Sequence, residues 1–100
     1  MNRYGLLFAA LLASGLSAPA IAAPYYAAAT VAKPAAQRIA LKGVVWRCDD
    51  TGCSAGQGTS RPEAVCAAFV KKMGEVQAFA VEGRALDAAA LEKCNTSARR

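Results

Sequence analysis

Val44-Val45-Trp46-Arg47-Cys48-Asp49-Asp50-Thr51-Gly52-Cys53 is the stretch on which the fold turns. Its first half is rich in β-branched and aromatic residues, which suit a pleated, half-buried backbone. Asp49-Asp50-Thr51-Gly52 has turn chemistry: aspartate bonds its own backbone early in a turn, and glycine reaches a positive φ without penalty. The reading is a strand over Leu41 to Cys48, a short return strand over Cys53 to about Gly56, and a hairpin with a cysteine on each side of its turn.

Downstream, Ser60-Arg61-Pro62-Glu63 opens a helix, with Ser60 as the expected cap and Glu63 completing a capping box. Pro62 fits the first turn, where its missing N–H costs nothing. Val65, Cys66, Phe69, Val70 and Met73 recur at helical spacing and form one apolar face. Lys71 and Lys72 suit the negative end of the helix dipole, and Gly74 suits the stop. Glu75 to Glu82 reads as a strand with Phe79 and Val81 facing inward, and Gly83 as a turn. Asp87 caps a last helix, which places Leu91 and Cys94 on one face. The expected fold is therefore α+β: a small β-β-α-β-α domain over residues 41–95. It has a three-stranded, mainly antiparallel sheet with two helices on one face.

Upstream, the chain changes character. Residues 23–40 hold Pro24, Pro34 and many alanines, with Lys33 and Arg38 as charges. They read as an extended, mobile arm, and the Tyr25-Tyr26 pair as a possible anchor for a partner. Residues 1–22 follow another pattern: a positive start at Arg3, an apolar run from Gly5 to Leu16, then Ala20-Ile21-Ala22. That order is the mark of a secretory signal peptide cut after Ala22. The run is short of the roughly 20 apolar residues a membrane span needs. No cysteine ends it to carry a lipid, and no Arg-Arg pair precedes it. Residues 96–100 read as a basic, disordered tail.

Composition bounds the chemistry. The 100 residues are 55% apolar, but 25 of them are alanine, which adds little to a core. A domain this small needs staples, and the four cysteines supply them. An exported chain with an even cysteine count reads as a disulfide framework. Cys48–Cys53 with Cys66–Cys94 is the favoured pairing, because the first pair flanks a turn and the second lies on two helix faces. A bond from Cys48 or Cys53 to Cys66 is the alternative. The spacing C-x4-C is not the C-x-x-C of a redox-active helix start, and Asp49 and Asp50 raise the pKa of a neighbouring thiol. Cys66 and Cys94 are too far apart in sequence for the paired-cysteine pattern of a zinc site.

There is no histidine, so Ser-His-Asp and Cys-His catalysis and histidine-ligated metals are excluded. The D-T-G triplet at Asp50-Thr51-Gly52 and the Gly56-Gln57-Gly58-Thr59-Ser60 loop are too short to specify a protease or a phosphate site. No residue points to a cofactor or a metal. The net charge of +5 comes from dispersed lysines and arginines. Without exposed aromatics between them, they argue against a dedicated nucleic-acid surface and fit an envelope protein or an anionic envelope polymer as partner.

Val45-Trp46-Arg47-Cys48-(x4)-Cys53, Ser60-Arg61-Pro62-Glu63-x2-Cys66, Gly74-Glu75-Val76-Gln77-Ala78-Phe79 and Leu91-Glu92-Lys93-Cys94-Asn95 belong together. The set resembles a family of small, exported, uncharacterised alphaproteobacterial proteins that share a W-x-C hairpin and a C-terminal Cys-Asn. The resemblance implies a Gram-negative periplasm and no particular activity. The expectation is a non-catalytic interaction module, either an envelope-component binder or an enzyme inhibitor. An inhibitor would present Asp49 and Asp50 at its hairpin tip, or Tyr25 and Tyr26 on its arm. A small thiol-redox protein or enzyme using Cys48 and Cys53 is the alternative.

Overall fold

A computed structural model describes residues 24–99. The signal-peptide reading of residues 1–22 lies outside them. The elements in chain order are β1 (Tyr26–Thr30), β2 (Arg38–Leu41), β3 (Val44–Cys48), β4 (Gly52–Ala55), α1 (Pro62–Met73), β5 (Val76–Val81), β6 (Arg84–Ala85) and α2 (Ala88–Asn95). A 3₁₀ turn over Thr96–Arg99 follows. The α+β class stands, but the sheet has six strands, not three, in the order β2-β3-β4-β1-β5-β6. Every adjacent pair is antiparallel.

The largest correction concerns the arm. Tyr26–Thr30 is an inner strand of the sheet, paired with β4 on one side and β5 on the other. Alanine is a poor strand former, so Ala27-Ala28-Ala29 carries no local strand signal. Tertiary context decides here. Ala28 stands opposite Cys53 on one side and Phe79 on the other, and only a small side chain fits between such neighbours. Arg38–Leu41, also read as arm and then strand start, forms the outer strand β2.

Two further boundaries move for the same kind of reason. Lys42-Gly43 and Glu82-Gly83 both have positive φ at each residue, the signature of two-residue primed turns that close β2–β3 and β5–β6. The stretch Leu41 to Cys48 is therefore one strand end, a turn and a second strand. In β5 the alternation breaks: Val76 and Phe79 are both buried, because the register with β1 shifts between Ala29 and Thr30. Gln77, at the break, donates its side-chain amide to the Thr30 carbonyl at 3.0 Å.

The helices match their sequence signals more closely. In α1, Val65, Cys66, Phe69, Val70 and Met73 are buried, and Gly74 ends the helix with its N–H on the Val70 carbonyl. Its N-cap is Arg61, with no side-chain cap, so the capping box expected at Ser60 and Glu63 does not form. In α2, Asp87 caps as expected, its Oδ1 accepting from the Ala90 N–H at 2.8 Å. The 3₁₀ turn replaces the expected disordered tail, and Ala98 within it packs on the core.

The helices cover one face of the sheet. Between the layers lies an aromatic cluster of Tyr26, Trp46, Phe69 and Phe79. The Trp46 ring is 4.6 Å from Phe69 and 5.9 Å from Tyr26 between centroids, and none of its surface reaches solvent. Side chains of this size contribute about 1.5–3 kcal/mol each on burial, so these four dominate a core otherwise built of valine, alanine, half-cystines and Met73.

Candidate functional site

Both disulfides take the favoured pairing. Cys48 and Cys53 face each other across the β3–β4 hairpin, with Cα atoms 4.0 Å apart. Cys66 and Cys94 tie α1 to α2, with Cα atoms 5.9 Å apart. No free cysteine remains among the described residues. Cys53 is buried and Cys48 half-buried, because both side chains point to the helix-covered face.

The tyrosines do not form a mobile anchor. Tyr26 is 1% exposed in the aromatic cluster, and Tyr25 packs edge-on against it at 4.8 Å. Burial, and then the neighbouring Tyr25 phenol, push the Tyr26 pKa above its ordinary value.

The hairpin tip is built by Asp49. Its Oδ1 accepts from the Thr51 N–H at 2.8 Å, the Thr51 hydroxyl at 2.9 Å and the Gly52 N–H at 3.0 Å. These donors hold its carboxyl below the usual carboxylate range. Asp50 points to solvent and pairs loosely with Lys33 at 3.6 Å. The tip is tied back to β1, because the Thr30 N–H donates to the Thr51 carbonyl at 3.1 Å. Gly52 allows this approach: a Cβ there would collide with the Ala28 carbonyl. Asp49 therefore shapes the tip, and Asp50 is the acid it presents.

Among the described residues, nothing covers the face of the sheet opposite the helices. Its middle is a concavity of about 340 Å³ floored by Ala27, Ala29, Ala78 and Ala80 and edged by Arg47 and Asp49. Beside it, Arg38 on β2 stands directly opposite Arg47 on β3. Both are exposed, and neither forms an ion pair with a described residue. Val45, 47% exposed, lies on the same face two pairs further on. Sequence reasoning placed Arg38 in the arm and counted Arg47 as dispersed charge. Their juxtaposition depends on the Lys42-Gly43 turn, which sets the register that pairs them.

A second, apolar hollow of about 230 Å³ lies over the Cys66–Cys94 bond, between Pro62 and Ala67 of α1 and Leu86 and Ala90. Among the described residues no group of acids and cysteines could hold a metal, and no helix is long and apolar enough to cross a membrane.

A family model matches residues 6–96, nearly the whole chain. The chain belongs to a family of unknown function, DUF8200. No curated protein and no solved structure gives a match. The two disulfides fit an oxidising environment outside the cytosol.

Proposed function

We propose that this protein is an exported, non-catalytic binding module of the periplasm that holds an anionic envelope protein or polymer on its uncovered sheet face. The Arg38–Arg47 pair carries the reading. Like charges directly opposite each other on a sheet repel. With neither arginine in an ion pair with a described residue, an anionic partner relieves that repulsion and gains two guanidinium contacts. The small side chains beside the pair let such a partner lie close to the backbone.

The two disulfides, and a cut after Ala22 that would fall ahead of β1 at Tyr26, support the export part of this reading. Protein recovered from its native host should have the mass of residues 23–100 with no alkylatable thiol. Full-length mass, or thiols that react, would contradict export through a cleaved leader. The buried position of Cys53 favours a structural bond over thiol chemistry at Cys48 and Cys53.

The binding test uses labelled polyglutamate and inorganic polyphosphate as probes. Both should bind the native protein in a salt-sensitive way. The double variant R38E/R47E should lose that binding while its thermal unfolding stays close to native. Unchanged binding by the double variant would refute the reading.

A further inference from the structure

The two edges of the sheet differ in how much backbone they leave open. At the β5–β6 end the strand β6 is two residues long, and the groups that β5 turns outward beyond it are taken up. The Leu86 N–H donates to the Phe79 carbonyl at 2.8 Å, beyond the two-residue strand β6. The Asn95 side chain does the rest, accepting from the Val76 N–H and donating to the Val76 carbonyl, each at 2.9 Å. Its amide imitates a neighbouring strand at Val76, so at this end Ala85 alone of the two β6 residues turns its backbone groups outward.

Among the described residues, the β2 end has no such cover. The Cys48 N–H donates to the Gln37 carbonyl at 2.8 Å, which makes 37 and 48 a hydrogen-bonded pair. Antiparallel ladders alternate, so 39/46 and 41/44 are the next bonded pairs. Arg38 and Ala40 consequently turn their N–H and C=O groups away from β3, and no described backbone group bonds them. An open row of this kind is a template for another strand. Its side chains set what that strand must carry. Toward the helices stand the half-buried Ile39 and Leu41, and toward the uncovered face stand Arg38 and, behind it, Arg47.

We infer that β2 accepts an extended acidic segment of a partner protein as a seventh strand. This rests on the anionic-partner reading above and names the partner as polypeptide. The incoming segment alternates acidic residues, which meet Arg38 and Arg47, with apolar residues, which extend the Ile39 and Leu41 row. A second copy of this chain is a poor occupant, because pairing β2 with itself brings four arginines together.

The test uses a fluorescent peptide of about ten residues alternating glutamate and valine, and a twin N-methylated on alternate backbone nitrogens. Ala40→Pro removes the outward N–H and leaves the ladder to β3 whole, since proline is tolerated on an edge. Binding of the plain peptide should weaken about tenfold or more in Ala40→Pro, and equally when the twin replaces it on native protein. Polyphosphate binding should stay within about twofold of native in that variant. If neither change affects peptide binding while R38E/R47E abolishes it, strand addition is wrong and the charged-face reading stands. If R38E/R47E also has no effect, both readings fall. A native dimer that Ala40→Pro dissociates would put a second copy on the edge and overturn the acidic partner. The N-methylated twin keeps the test decisive if Ala40→Pro does not fold.

Discussion

Asp49 shows how much local order one side chain can impose. Its Oδ1 gathers three donors from Thr51 and Gly52, so the ionised form is the one the fold prefers. A carboxyl held below its ordinary range stabilises the fold above its unfolded pKa and loses that contribution as pH falls through the folded pKa. The hairpin tip should thus loosen below the usual carboxylate range. Amide exchange at Thr51 and Gly52 should accelerate there in the native protein, and already at neutral pH in Asp49→Ala. Asp49→Asn keeps an acceptor and should fall between. Exchange at these amides that ignores both pH and substitution would show that the tip is held by other means. Tyr26 has the opposite sign: its raised pKa favours the protonated phenol, and the stability it contributes is lost as pH rises through that value.

At the scale of elements, the two disulfides do different work. Cys66–Cys94 closes a loop with a sequence separation of 28, and Cys48–Cys53 one of 5. Loop entropy assigns roughly 3–4 kcal/mol to the first and about 2 kcal/mol to the second. The second also joins strands that already pair. C66A/C94A should lower the midpoint of denaturant unfolding clearly more than C48A/C53A does; equal losses, or the reverse order, would contradict this division. The elements also show what the sequence could disclose. α1 and α2 were readable because periodicity, Asp87, Pro62 and Gly74 are local signals. The cysteine pairing was readable because one pair flanks a turn and the other lies on helix faces. β1 was not, because its alanines acquire strand character only between β4 and β5. The Arg38–Arg47 pair was hidden for the same reason, since a primed turn at Lys42-Gly43 had to be recognised before the register could be set. Asn95 was noted beside Cys94, but its bidentate hold on Val76 bridges 19 positions and leaves no local trace.

At the scale of the whole fold, the described residues form a one-sided sandwich. Its helices, both staples and the aromatic cluster secure one face of the sheet. The other face is left to alanines, a hairpin tip and two arginines that pair with no described residue. That division separates stability from recognition: Trp46 and Phe69 sit far from solvent, whereas R38E/R47E changes charge without touching the core. The most direct test is residue-resolved. Amide resonances of residues 23–100 should be followed while polyglutamate is added at low salt. The account predicts that shifts concentrate on β2 and β3, at Arg38, Ala40, Val45 and Arg47, with α1 and α2 unmoved. Shifts centred on Lys71, Lys72 or Lys93 of the helices, with the sheet face silent, would contradict it.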